Sequence, residues 1–155
     1  MIGAGGTAGH VVPALAVADA LRADGAEVIF IGGERAEREL VPAAGYPLRF
    51  LKVAPLARRS PGQAARAIGV DARALVAARA MMRELAPDAV MGSGGYVAGP
   101  VGLAAVLRRV PIVLTEADSH LGLTNRLLAP FARSWSTPGR SWPPARWCAS
   151  LPPMP

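Results

Sequence analysis

The stretch from Gly3 to Leu21, "GAGGTAGHVVPALAVADAL", places four glycines among seven residues, followed by a histidine and an apolar run. Met1-Ile2 ahead of it resembles the end of a strand whose earlier part is missing. Apolar residues at helical spacing from Pro13 to Ala23 predict a helix. Glycine lets backbone N–H groups approach a ligand closely, and a helix N-terminus adds partial positive charge. The stretch therefore predicts a strand, an anion-binding loop and a helix.

The rest of the chain repeats this alternation. Strands are predicted in "AEVIFIGG" (26–33), "YPLRFLKV" (46–53), "PDAVMGSGG" (87–95) and "VPIVLTEAD" (110–118). Helices are predicted in residues 34–45, 64–85 with a break near Gly69, 97–109 and 122–132. The order predicts an α/β fold with a doubly wound parallel sheet, Rossmann-like, in which ligands bind beyond the C-terminal ends of the strands.

Composition limits the functional classes. With 155 residues, 52% of them hydrophobic, the chain can form one domain with a sizeable core. The formal net charge of +6 reflects either an arginine-rich codon usage or an anionic partner, such as phosphate groups or a membrane surface. Scattered arginines and 5% aromatic residues argue against nucleic acid. Cys148 is the only cysteine, which excludes a disulfide framework and a thiolate metal site, and we predict no metal or cofactor.

No segment is predicted to be a signal peptide or a membrane span. Ala89 to Leu107 lacks charged residues, but it contains five glycines and a proline, so we interpret it as strand, loop and helix.

The last 23 residues differ from the rest. Residues 133–155 hold all three tryptophans and six of the fifteen prolines, without an acidic residue or a recognisable period. We therefore predict a Rossmann-like domain over residues 1–132. Residues 133–155 are interpreted either as a disordered proline-rich tail or as sequence never selected to fold, as after a frameshift.

Two loops and one strand end supply the candidate site. "GSGGYVAGP" (92–100) repeats the glycine-loop pattern, so two loops at one edge suggest two phosphates or a diphosphate. His10 suits a general base, or it is a helix-capping residue without a chemical role. Glu116, Asp118 and His120 follow the fifth strand, where one of them could orient His10 or act as the base.

A basic surface is predicted in and after the third loop. Leu75, Met81 and Met82 interleave with arginines there, a pattern that suits either docking on anionic lipid or the outer face of a core helix. The arginines are Arg58, Arg59, Arg66, Arg73, Arg79 and Arg83.

A dinucleotide-binding fold is the competing interpretation. Gly3, Gly5 and Ala8 satisfy the loose G-x-G-x-x-G/A pattern. That pattern also requires an acidic residue at the end of the second strand, where this chain has Gly32-Gly33.

Three motifs carry a family resemblance: "GGTAGHVVPALAVADAL" (5–21), "GSGGYVAGP" (92–100) and "GLTNRLLA" (122–129). In order and spacing, residues 1 to about 132 resemble the N-terminal, acceptor-binding domain of the MurG family, the glycosyltransferase family 28 enzymes of two-domain GT-B architecture. The resemblance implies inverting transfer of N-acetylglucosamine from UDP-N-acetylglucosamine to undecaprenyl-pyrophosphoryl-N-acetylmuramoyl-pentapeptide in peptidoglycan synthesis. It also implies peripheral attachment to the cytoplasmic face of the bacterial plasma membrane through the basic patch.

The resemblance assigns roles to individual residues. It implies His10 as the base, with Asp118 as an assistant or alternative base, and it places Glu116 and Asn125 at the rim that faces the acceptor sugar. The implied acceptor-diphosphate residues are Gly5, Gly6, Thr7, Ala8, Gly9, Gly94, Gly95, Tyr96 and Val97. The family usually has His-Glu-Gln-Asn where this chain has "TEAD", so Thr115 and Asp118 depart from the pattern.

The family's C-terminal domain, which binds the nucleotide sugar, has no counterpart in this sequence. We therefore expect the 155-residue chain alone to be inactive. It is expected to be a fragment of a full transferase, a half-enzyme that recruits a separate donor-domain chain, or a non-catalytic polyprenyl-diphosphate-binding subunit.

Overall fold

The computed structural model describes residues 1–53, 61–116, 122–137 and 140–141. Side chains are described for residues 1–53, 72–116 and 122–133. Asp118 and His120 lie outside these ranges, as do Arg58 and Arg59, and so does most of the tail.

One sheet organises the chain. Its strand order is β3-β2-β1-β4-β5-β6-β7, and every neighbouring pair is parallel except the antiparallel pair β6–β7. The strands are β1 (Ile2–Gly3), β2 (Phe30–Gly32), β3 (Leu48–Phe50), β4 (Val90–Gly92), β5 (Ile112–Thr115), β6 (Ser134–Thr137) and β7 (Arg140–Ser141). The strand order reverses direction between β1 and β4, where a doubly wound sheet opens its ligand crevice. The predicted α/β doubly wound fold is confirmed.

Five helices connect the strands in the described part of the chain. They are α1 (Ala8–Ala23), α2 (Ala36–Ala43), α3 (Pro61–Leu85), α4 (Ala98–Arg108) and α5 (Leu123–Leu128), and a 3-10 turn, Ala129–Phe131, follows α5. Right-handed crossovers that run in opposite directions from β1 place α1 and α2 on one face of the sheet and α3 to α5 on the other. Contacts of α1 with α2, and of α4 with both α3 and α5, agree with this division.

The central strands β1, β2 and β4 are buried on both faces, as a covered parallel sheet requires. Phe30 is fully buried on β2, with its ring 5.5 Å from that of Tyr46. The hydroxyl of Tyr46 donates a 2.6 Å hydrogen bond to Oδ1 of Asp19 on α1. On the other face, Ala78 and Met82 of α3 pack in the cluster that contains Val90.

Three boundaries differ from the sequence predictions. α1 begins at Ala8 instead of Pro13, with extended Thr7 at the N-cap position. Pro13 has no N–H to donate to the Gly9 carbonyl, but Gly9 is exposed, so the helix tolerates the missing bond. α3 continues through Gly69 without a break. The sheet also extends beyond residue 132, because Ser134–Thr137 pairs with β5.

Two phenylalanines on neighbouring strands test this core. Phe30→Ala should lower the free energy of unfolding by about 3–5 kcal/mol, because it leaves a cavity beside Tyr46. Phe50, on β3, is 49% exposed, so Phe50→Ala should cost about 1 kcal/mol or less. Urea unfolding followed by circular dichroism measures both, and equal losses would contradict the described burial of Phe30.

Candidate functional site

Two glycine loops meet beyond the C-terminal ends of β1 and β4. The first glycine loop is residues 4–7, between β1 and α1, and the second is residues 93–97, between β4 and α4. Gly95 has a φ of +74°, and a Cβ built on it would overlap the carbonyl oxygen of Gly5. The loops therefore approach so closely that only a glycine at position 95 leaves room.

His10 lies in the first turn of α1 and faces the second glycine loop. Thr7, not His10, occupies the N-cap position of the helix, and its backbone carbonyl accepts the N–H of His10 at 3.1 Å. A Cβ built at Gly94 would lie 2.8 Å from Nδ1 of His10. This Nδ1 atom is buried and has no hydrogen-bond partner among the described residues. Ser93 Oγ donates a 2.9 Å hydrogen bond to the His10 carbonyl, which fixes the helix start to β4.

The structure brings the predicted diphosphate residues to one edge of the sheet, where some of them are exposed and others are buried. Thr7, Ala8 and Gly9 are exposed at the N-terminus of α1, where helical N–H groups lack intrahelical partners. Gly5 is buried, and the buried Val97 side chain packs where a Gly5 Cβ would be. Exposed backbone amides on α1 are thus the part of the first loop region that can meet an anion.

A buried carboxylate that the sequence analysis missed holds these loops. Glu37, on α2, is fully buried and accepts hydrogen bonds from the Gly6 N–H at 3.0 Å and the Gly33 N–H at 2.8 Å. The Tyr96 hydroxyl contacts its Oε1 at 3.4 Å. The signal was available, because Glu37 precedes buried Val41 by four residues and therefore lies on the inward face of α2.

Tyr96 connects the second loop to this carboxylate. Its ring lies against Gly6, with ring atoms 3.4 Å from where a Cβ would be, and the Arg35 guanidinium sits 5.5 Å from the ring centroid. Burial raises the pKa of the Tyr96 hydroxyl and the Glu37 charge raises it further, although Arg35 opposes this. The hydroxyl therefore stays protonated at neutral pH and donates to Glu37.

Glu116 and Asn125 form a second polar cluster beside His10. Asn125 Nδ2, on α5, donates to Glu116 Oε2 at 3.0 Å and to the Thr115 carbonyl at 3.1 Å. The Gly122 N–H also donates to Glu116 Oε2, at 3.0 Å. The other oxygen, Oε1, lies 3.4 Å from the Cβ position of Gly94, which also adjoins His10. Asn125 Oδ1 is buried and unpaired within the described part of the chain.

The predicted basic patch is only partly described. Arg73, Arg79 and Arg83 are exposed on the outer face of α3, around Val76, which is 69% exposed. Met82 instead faces the core and is buried, so it cannot belong to a lipid-facing surface. The side chain of Arg66 is not described. α3 runs from the loop edge of the sheet to the opposite edge, which places Arg83 about 15 Å farther from the loops than Arg73.

Other candidate sites are not supported where the chain is described. Its described residues contain no group of three or more His, Cys, Asp or Glu side chains placed to hold a metal ion. Within the same ranges, no helix has both the length and the apolar character needed to cross a membrane. A cavity of about 420 Å³ opens at the opposite edge of the sheet, between Met1, Leu21 and Leu85, and none of the predicted site residues lines it.

Comparison with known proteins matches residues 1–137 to the glycosyltransferase family 28 N-terminal domain. The chain belongs to this family. A relative from Acidithiobacillus ferrooxidans is 48% identical over 134 residues, which are 86% of this chain and 37% of the relative. One from Halothermothrix orenii is 42% identical over 128 residues, which are 82% of this chain and 34% of the relative. Both are named UDP-N-acetylglucosamine--N-acetylmuramyl-(pentapeptide) pyrophosphoryl-undecaprenol N-acetylglucosamine transferase.

Solved structures agree with the family 28 assignment. MurG from Acinetobacter baumannii superposes with a TM-score of 0.75 at 34% identity, covering 88% of this chain and 40% of that protein. The Streptomyces glycosyltransferase SsfS6 shares the fold, with a TM-score of 0.58 at 19% identity. The predicted MurG-family resemblance is confirmed. The chain spans roughly a third to two fifths of the length of these relatives.

The loop contact can be tested with two glycines of similar conformation. Gly25 has a φ of +87° with open space around it, whereas Gly95 has a φ of +74° against the Gly5 carbonyl. Gly25→Ala should cost roughly 1–2 kcal/mol of unfolding free energy from backbone strain alone. Gly95→Ala should cost a further 1–3 kcal/mol or so, because the loops must separate. Equal losses in chemical denaturation would contradict the close approach.

Proposed function

We propose that this chain is the acceptor-binding half of a family 28 transferase that moves N-acetylglucosamine from UDP-N-acetylglucosamine to a polyprenyl-diphosphate-linked N-acetylmuramoyl-pentapeptide. The observation that carries the proposal is the position of His10, which lies against the second glycine loop and near Glu116. The names of the relatives support the choice of donor and acceptor. Because those relatives extend far beyond the matched region, the nucleotide-sugar site is assigned to a part that this chain does not cover.

The acceptor's diphosphate binds to backbone amides in this proposal. Thr7, Ala8 and Gly9 present the N-terminus of α1, and Gly94 and Gly95 present the adjacent loop. Helix N-termini and glycine-rich turns both favour anions through unpaired N–H groups and partial positive charge. Two such elements side by side suit two linked phosphates better than one.

His10 acts as the base in the proposed reaction. It takes the proton of the acceptor hydroxyl while that oxygen bonds to the anomeric carbon of N-acetylglucosamine. The bond from that carbon to the UDP oxygen breaks, and UDP leaves with the electron pair, so the configuration inverts. Glu116 and Asn125 lie at the same edge and are assigned to the acceptor sugar. Asp118, outside the described residues, stays a candidate assistant.

The base role predicts a separation of binding from turnover. A general base contributes on the order of 10²–10⁴-fold in rate. With residues 1–137 joined to the remaining part of the Acidithiobacillus relative, His10→Ala should lose turnover on that scale, measured as UDP release. The affinity of the 155-residue chain for farnesyl diphosphate, measured by calorimetry, should change less than about threefold.

Each result has a distinct meaning. A rate loss below about threefold would remove His10 from the base role. Farnesyl diphosphate binding without any restored turnover in the fused protein would favour the alternative, a non-catalytic or partner-dependent polyprenyl-diphosphate-binding subunit. Turnover by the unfused 155-residue chain would contradict the assignment of the donor site to another part.

We propose peripheral attachment to an anionic membrane, at its cytoplasmic face, through the basic surface of α3. The exposed arginines around Val76 support this, since arginine with exposed apolar side chains suits an anionic lipid surface. Because a lipid-linked acceptor must reach the glycine loops, the end of α3 nearest the loops should contact the membrane most closely.

This geometry predicts a gradient along α3. Arg73→Gln should weaken binding to phosphatidylglycerol-containing vesicles about fivefold, as expected for roughly 1 kcal/mol per basic residue near the surface. Arg83→Gln removes the same charge farther from the loops and should change affinity less than about twofold. Sedimentation with vesicles measures both, and equal effects would argue that the charge acts without a defined orientation.

A further inference from the structure

One buried carboxylate connects the ends of three neighbouring strands. Glu37 accepts N–H groups from Gly6, which follows β1, and Gly33, which follows β2. Its Oε1 also contacts the hydroxyl of Tyr96, which follows β4. Because β2, β1 and β4 are adjacent in the sheet, this side chain spans the point at which the strand order reverses.

Glycines make room for this carboxylate. A Cβ at Gly32 would lie 2.7 Å from Cγ of Glu37, and a Cβ at Gly33 would lie 2.9 Å from its Oε1. A Cβ at Gly5 would lie 3.1 Å from the same oxygen. Three glycines at the ends of two strands therefore make room for one acidic side chain. Filling space alone would not require so unfavourable an arrangement.

Burial of a carboxylate is unfavourable unless its oxygens are paired. Here the donors are two backbone amides and one phenol, and none of them is a cationic side chain. These bonds fix where the loops stand relative to each other, a task that an apolar residue of similar size could not perform.

The Gly6 amide is consequently committed to an internal partner. Its N–H points to Glu37 Oε2, so it is not a donor for an external anion in this arrangement. The exposed amides that begin α1 are the ones left for a ligand. His10 lies three residues beyond Thr7, in the first turn of α1, so the position of the first loop also sets the position of its ring.

We propose that Glu37 is a positioning residue, which holds the first glycine loop against the second so that the α1 amides and His10 share a fixed geometry for the diphosphate ligand. This inference rests on the proposed function. Glu37 does not touch the ligand. Its effect passes through the Gly6 amide and the Tyr96 hydroxyl.

The test compares two variants in which one glutamate of α2 is replaced by glutamine. Glu37→Gln changes the buried acid, and Glu39→Gln is the matched control because Glu39 is exposed on α2. Farnesyl diphosphate is the probe, and calorimetry with the 155-residue chain is done well below the melting temperature of each variant. Glu37→Gln should bind about tenfold more weakly, and Glu39→Gln within about twofold of wild type.

A purely structural role would lower the melting temperature without changing the affinity of the folded protein. An unchanged dissociation constant in folded Glu37→Gln would therefore overturn the proposal. The amide proton resonances of Gly6 and Gly33 should also move in Glu37→Gln and stay in Glu39→Gln.

Two further measurements test the role of Glu37 even if the variant fails to fold or the proposed ligand fails to bind. If Glu37→Gln does not fold, hydrogen exchange of wild type decides: a Gly6 amide that exchanges as fast as an unprotected one overturns the proposal. If wild type binds no farnesyl diphosphate, the proposed ligand fails. The positioning role of Glu37 is then tested by the NMR resonances of the His10 ring, which should shift in Glu37→Gln but not in Glu39→Gln. Unchanged His10 resonances in Glu37→Gln would overturn the proposal.

Discussion

The close approach of Gly95 to the Gly5 carbonyl is the constraint on which the rest of the site depends. It lets the loops that follow the paired strands β1 and β4 touch at the point where the strand order reverses. From there α1 and α4 leave along opposite faces of the sheet, and a crevice opens between their N-termini. His10 is in that crevice because α1 begins immediately after the first loop. Had the loops stood one methyl group farther apart, the His10 ring would lose the glycine surface against which it packs.

Buried polarity is concentrated at the same edge. Among the described residues, the buried polar or charged side chains are Glu37, Ser93, Glu116 and Asn125. Each one bonds to the backbone of a loop, of a strand end or of the first turn of α1, and buried polar groups are tolerated only with such partners. The remainder of the described core is apolar. The polar side chains thus order the loop edge, while the strands and helices below it are held by packing.

The sequence was sufficient for the parts governed by local pattern. Alternating apolar runs and glycine punctuation predicted the sheet, and the two loops with His10 were assigned to the edge where the structure has them. Glu37 was missed because α2 looked like a charged surface helix, and only its spacing from Val41 marks the inward side. Strand β6, "SWST", was not predicted, because four residues show no clear period and the strand is specified by its pairing with β5. Strand pairing and buried hydrogen bonds depend on tertiary contacts, which a local sequence pattern does not specify.

The charge distribution indicates how an anion can be recognised here. The chain carries a formal net charge of +6, yet neither glycine loop contains an arginine or a lysine, and two carboxylates, Glu37 and Glu116, adjoin the loops. Among the described residues, neither loop thus carries a basic side chain of its own, and the Arg35 guanidinium lies 5.5 Å from the Tyr96 ring centroid. In the proposed function, recognition of the diphosphate comes from the directed N–H groups of the loops and helix starts, which act only at hydrogen-bond distance. Such donors require a fixed backbone, and the same carboxylate that adds negative charge to the edge supplies that rigidity through Gly6 and Gly33. In the proposed function, geometry at the loops and charge on α3 are thus separate means of recognition, one for the diphosphate and the other for the membrane surface that presents it.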